Sequence, residues 1–212
     1  MAANSCTLGA MTLAEPRPHH NSAARRIPRL VLLTDDQRLP DPLPAIARLP
    51  AGSAVILRHH DWPERRQLAH SVARLCRLKR LILLVANDWR LAAEIGADGV
   101  HLAEGLARHG LTASCRLWRR RHGALLSVAA HSALALGRAA HLGADFCLLS
   151  QAFPSRSHPG KPALGPVRFA ILAQSSRLPV IALGGVNRQS WRRLPKFCTH
   201  GWAAIDGLCP PK

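Results

Sequence analysis

From Arg29 onward the chain alternates between two patterns. Short runs that are apolar at nearly every position, rich in Leu, Val, Ile and Ala, are followed by stretches whose apolar residues recur at helical spacing. The runs cover residues 29–36, 53–60, 80–87, 99–103, 124–131, 146–153, 179–186 and 201–208. A strand that is apolar on both faces is buried on both faces, as in a parallel sheet covered by helices. Eight such strands are the number that closes a small barrel, so the pattern predicts a (β/α)8 TIM barrel over residues 28–209 with one crossover helix in each gap. An open doubly wound sheet is the alternative. Residues 1–27 mix Pro, His, Ser and Arg without periodicity and read as a poorly ordered lead-in.

One helix start is legible in detail. Asp61-Trp62-Pro63-Glu64 offers a side-chain acceptor, an early proline and a glutamate three residues on, which predicts a capping box with Asp61 as the cap. Leu68, Val72, Leu75 and Cys76 follow at helical spacing and should face the barrel.

The composition fits this picture. With 48% hydrophobic residues among 212 the chain can fill one core, and with 4% aromatics and no Tyr that core rests on Leu, Ile, Val and Ala. No apolar run approaches the roughly 20 residues of a membrane-spanning helix, and no secretory signal opens the chain, so a cytoplasmic protein without a membrane partner is expected. Six isolated cysteines suit free thiols. The net charge of +17 comes from 25 Arg and 4 Lys. Many of these sit on helices, as Arg65, Arg66, Arg74 and Arg77 or Arg116, Arg119, Arg120 and Arg121. They read as solvated outer faces, with an acidic partner as the alternative. Nucleic acid is not the expected partner, because aromatic side chains on which bases stack are scarce.

In a closed barrel the residues that end each strand converge on one rim. Here they are polar: Asp35 and Asp36, Arg58 and His60, Asn87 and Asp88, His101, His131, Ser150, and Asp206. The loop Ser155-Arg156-Ser157-His158, with Lys161, and the pair Gly184-Gly185 complete the set. Packing alone does not ask for apolar strands that each finish in a polar residue. Glycines after the seventh strand let backbone N–H groups approach an anion, commonly a phosphate. A metal hydrolase built on His60, His101, His131 and Asp206 is a competing reading.

The stretch from Asn87 to Leu102, with Asn87-Asp88 and then Ala97-Asp98-Gly99-Val100-His101-Leu102, resembles the thiamine phosphate synthase and thiazole tautomerase (TenI-like) family. Leu33-Thr34-Asp35, Leu57-Arg58, Gly143-Ala144-Asp145, Phe153-Pro154, Leu164-Gly165 and the run from Pro179 to Val186 follow in the family's order. The resemblance implies a barrel, a phosphorylated thiazole as ligand, and a place in thiamine synthesis. For the synthase it implies Mg²⁺, with Asp88 matching one metal-binding Asp. The second is missing where the chain reads Ala103-Glu104-Gly105-Leu106, and Glu104 matches a Gln. His60 and His158 stand where the family has Lys, and Asp206 where it has Ser.

The tautomerase branch moves a proton on a thiazole carboxylate phosphate and needs no cofactor. By resemblance His131, in Ala130-His131-Ser132, is its catalytic residue. Gly184 and Gly185 are expected to hold the phosphate and Arg58 the carboxylate or phosphate, with His60, Asn87, His101, Ser155, Ser157, His158 and Lys161 as further substrate contacts. The expectation is a tautomerase-like isomerase, with two alternatives. One is a Mg²⁺-dependent synthase; the other is an inactive barrel that binds a phosphorylated ligand or nucleic acid. A homo-oligomer is compatible with either.

Overall fold

The computed structural model describes residues 27–155, 160 and 162–208. Eight parallel strands close into a barrel in chain order. They are β1 (Leu30–Leu33), β2 (Ala54–Leu57), β3 (Ile82–Ala86), β4 (Gly99–Leu102), β5 (Leu125–Ala130), β6 (Phe146–Leu149), β7 (Val180–Ala182) and β8 (Gly201–Ala204). Each lies inside a run read from the sequence, and each is shorter. The polar residues that end the runs lie beyond the ladder in the rim loops, except His101, which stays within β4.

Alternation along each strand builds two cores. Val31, Leu33, Ala54, Ile56, Leu84, Phe146, Leu148, Ile181 and Ala203 fill the inside of the ring. The intervening residues, among them Leu32, Val55, Leu57, Val85, Val100, Val128 and Leu149, pack outward against the helices. Two buried faces explain why the strands show no polar alternation.

The helices are α1 (Leu43–Ala47), α2 (Arg65–Leu78), α3 (Trp89–Glu94), α4 (Glu104–Ala107), α5 (Ala113–His122), α6 (Ala133–His141) and α7 (Gly165–Gln174). The expectation of one helix per gap needs correction at two places. The gap between β4 and β5 holds both α4 and α5, whereas β7 and β8 are joined through a 3₁₀ turn, Ser190–Arg193. These two strands also share the shortest ladder, Ile181 opposite Gly201 and Ala182 opposite Trp202.

On α2, Val72 and Cys76 are buried, and Leu68 and Leu75 pack against the same core. The capping box does not form. Glu64, not Asp61, occupies the position before α2, and no side chain caps it. The chain turns at Pro63-Glu64, with the Arg65 N–H on the Trp62 carbonyl, which carries Asp61 out to solvent.

The basic residues on the helices are partly structural. Arg65 and Arg119 are half-buried and pair with Asp88 and Asp145. Cys76, Cys115, Cys147 and Cys198 are free thiols. Among the described residues no helix is long and apolar enough to cross a membrane.

Candidate active site at the carboxyl rim

Closure of the ring brings Arg58, His131 and Gly184 to one rim, since all three follow the carboxyl ends of parallel strands. Around that rim the polar side chains sort into three groups.

The first group lies above β1, β2 and β4. Thr34 joins the first two strands at their ends: its hydroxyl oxygen accepts the Arg58 N–H at 2.9 Å and lies 2.9 Å from Nδ1 of the buried His59. The Arg58 side chain stays partly exposed, 3.9 Å from the Asp35 carboxylate. His60 points the other way from His59 and is exposed. His101 is buried, with Nδ1 2.8 Å from the Ser127 hydroxyl of β5. Burial, reinforced by the charges of Arg58 and His60, lowers its pKa to about 3, so its ring is neutral at physiological pH. Loss of solvent also lowers His60, with Arg65 and Arg58 adding to the effect.

The second group joins α4 to the end of β5. Glu104 Oε2 accepts both the backbone N–H of His131, at 3.0 Å, and the ring Nδ1–H, at 2.6 Å. A carboxylate can only accept, so Nδ1 carries a proton and Nε2 is the ring atom left to exchange one. Burial works to raise the Glu104 carboxyl, but the bonds and charge from His131, with Arg108, outweigh it and hold the pKa below the usual value. His131 itself is half-exposed. Sequence reasoning noted Glu104 only as standing where the family has a Gln, and missed this role.

The third group lies between the ends of β7 and β8. Gly184 and Gly185 adopt φ of +90° and +61°, values that favour glycine. A Cβ on Gly185 would sit 2.3 Å from the Pro154 carbonyl oxygen. Together with Ser155, Arg38 and Asp206 they line an open cavity of about 370 Å³. Asp206 is not left as a bare negative charge: Arg38, from the loop after β1, donates from Nε to Oδ1 at 3.1 Å and contacts Oδ2 with a terminal nitrogen. Beside Gly184 sits Gln151, whose amide nitrogen is buried without a hydrogen-bond partner among the described residues. Neither Arg38 nor Gln151 carried a sequence signal, because each gains its meaning only when the ring closes. Neither Arg58 nor His131 lines this cavity.

Asn87 and Asp88 have structural occupations. Asn87, at φ +60°, uses its side-chain oxygen to accept the Ala103 N–H, at 2.9 Å. Asp88 caps α3 through Oδ1, on the Leu91 N–H at 3.0 Å, while Oδ2 pairs with Arg65 at 3.0 Å. Both carboxylate oxygens are therefore engaged, and Leu106 stands where the resemblance calls for the second magnesium ligand. This donor set does not fit the two-carboxylate magnesium site. Nor do His60, His101, His131 and Asp206 gather: among the described residues no group of three or more His, Cys, Asp or Glu side chains is placed to hold a metal ion. The expected contacts Ser157, His158 and Lys161, with Arg156, lie outside the described residues.

The model of the family described as thiamine monophosphate synthase matches residues 30–208. The chain is 33% identical over 195 residues to the thiamine-phosphate synthase of Alcanivorax borkumensis, covering 86% of each. It is 39% identical over 132 residues to that of Thiobacillus denitrificans, covering 59% of this chain and 58% of the relative. Among solved structures, the thiamine phosphate pyrophosphorylase from Pyrococcus furiosus superposes with a TM-score of 0.68 at 21% identity, over 84% of this chain and 85% of the other. The chain belongs to the thiamine monophosphate synthase family.

Proposed function

We propose that this protein acts in thiamine synthesis on a phosphorylated thiazole, as a tautomerase-like acid–base isomerase. The observation that carries this reading is the Glu104–His131 pair. A carboxylate that holds Nδ1–H fixes both the ring orientation and the tautomer, and stabilises the imidazolium that forms when Nε2 takes a proton. His131 Nε2 removes a proton from the thiazole carboxylate ring and returns it at a second position. The composition is unchanged and the aromatic isomer results. The Gly184-Gly185 cradle receives the phosphate through backbone N–H groups, and Arg58 faces the carboxylate. No diphosphate leaves, so the chemistry asks for no metal pair.

A second reading is a synthase that joins a pyrimidine diphosphate to the thiazole phosphate. It is favoured by the names of the relatives and opposed by the engaged oxygens of Asp88 and by the missing second ligand at Ala103-Glu104-Gly105-Leu106.

The deciding experiment follows proton exchange and isomerisation of the thiazole carboxylate phosphate by NMR. We expect His131→Ala to lower the rate ~100-fold or more, the usual scale for a lost acid–base group. An unchanged rate removes His131 from the reaction. Diphosphate release from the two synthase substrates with Mg²⁺, and no isomerisation, establishes the transferase instead. Absence of both reactions leaves a ligand-binding barrel.

A further inference from the structure

On the outer wall of the ring lies a second feature, which shares no lining residue with the cavity at Gly184-Gly185. Between β7 and β8 the described residues offer no helix to cover the strands. The outer wall there opens into a groove of about 1050 Å³ near the amino ends of β1, β7 and β8. Its floor includes Leu30, Val180 and Trp202.

Its walls are cationic. Arg29, Arg188, Arg192, Lys196 and His200 line the groove, and no Asp or Glu does. Arg29, Arg188 and Arg192 are exposed and enter no ion pair among the described residues. Lys196 lies over the Trp191 ring, 3.4 Å from its centroid. Trp202 is buried in the core at the base of the groove and Trp191 packs against that core, so Phe197 is the ring the groove presents to solvent. Phe197 is 77% exposed.

An exposed ring set among guanidinium groups that enter no ion pair among the described residues suits a partner that is both flat and anionic. A second copy docked by twofold symmetry would set these cations against themselves. An acidic polypeptide would answer the charge but not the rings. Single-stranded nucleic acid answers both, with phosphates for the cations and a base for the exposed Phe197 face.

We propose that the groove bounded by Arg29, Arg188, Arg192 and Phe197 is a docking face for single-stranded RNA. Because Arg58, Glu104, His131, Gly184 and Gly185 are not among the residues that line it, this proposal and the isomerase reading fail independently. The sequence argued against nucleic acid from the scarcity of aromatics; what it hid is that one of the few, Phe197, stands exposed among cations.

The test is fluorescence anisotropy of the full-length protein with a labelled oligouridylate about twelve nucleotides long, within the usual site size. Arg188→Ala with Arg192→Ala should weaken binding about tenfold and flatten the slope of log K against log salt by about 1.4, roughly 0.7 per lost phosphate contact on a single strand. Phe197→Ala, at an exposed site that leaves the core intact, should weaken it about fivefold or more through lost stacking. Removing the same charge from α5, by Arg120→Ala with Arg121→Ala, should change it less than twofold. Equal losses from the α5 and groove variants would show net charge alone and overturn the proposal. So would binding of poly-glutamate in place of the oligonucleotide, with no effect of Phe197→Ala, which assigns the groove to an acidic protein.

Discussion

The Arg38 guanidinium neutralises the Asp206 carboxylate at the mouth of the Gly184-Gly185 cradle, joining the loop after β1 to the segment after β8. The pairing changes the meaning of an acid at a phosphate site. Alone, Asp206 would repel a phosphate; paired, it presents a nearly neutral edge and holds Arg38 within reach of an anion.

Breaking the pair from either side should therefore move affinity in opposite directions. Asp206→Ser frees Arg38 and should tighten binding of a thiazole phosphate about tenfold, while Arg38→Ala should weaken it by a similar factor. Tenfold is about 1.4 kcal/mol, close to the roughly 1 kcal/mol of a charge pair about 4 Å apart screened by water, as in an open cavity. Isothermal titration calorimetry of the two variants reads both. Equal affinities would show that the phosphate does not approach Asp206.

Glu104 should act through His131. Glu104→Gln can still bond to the His131 backbone, but it lacks the charge that supports the imidazolium. We expect kcat to fall about 10- to 100-fold with little change in KM, as for a misplaced or unsupported acid–base group. Rates measured across pH 5 to 9 should show an altered profile. An unaltered profile together with raised KM would make Glu104 a substrate contact instead.

Asp88 separates a helix cap from a metal ligand. Asp88→Ala should cost about 1 kcal/mol of stability in urea unfolding, the usual value of a lost cap. Asp88→Ser should recover most of that, because Ser also caps. If Asp88 serves Mg²⁺ instead, both variants will lose a magnesium-dependent increase in stability shown by the wild type.

His101 makes the barrel sensitive to acid. Its pKa is about 3 in the folded chain against an ordinary value of 6.5. Between those values the unfolded chain takes up a proton that the folded chain refuses, so stability falls as pH drops through that window. His59, whose pKa is lowered chiefly by burial, acts in the same direction. His101→Gln, which can still bond to Ser127, should unfold in urea with a shallower pH dependence between pH 7 and 4 than the wild type. Parallel curves would mean that His101 is hydrated in the folded protein.

The strands were legible because burial on both faces leaves long apolar runs, and Val31 with Leu32 shows the two cores side by side. The run ends misled, since Asp88, Thr34 and Asn87 look like strand ends yet serve as a cap or as loop anchors. Asp61 failed as a cap because its neighbours, not its type, decided where α2 begins. The pairs that shape the site were beyond a local reading. Glu104 and His131 are 27 residues apart and Arg38 and Asp206 are 168 apart, so neither pair has a sequence signature until the ring brings its members together.

The short ladder between β7 and β8 lies directly beneath the Gly184-Gly185 and Asp206 loops. The barrel is thus least firmly stitched under the place where an anion would sit. A ligand that touches both loops would act as a clasp across this seam, and occupancy would tighten the whole ring through mass action. Amide exchange along Gly201–Ala204 would slow when ligand binds. The protein would feel its substrate as structural reinforcement as well as chemistry.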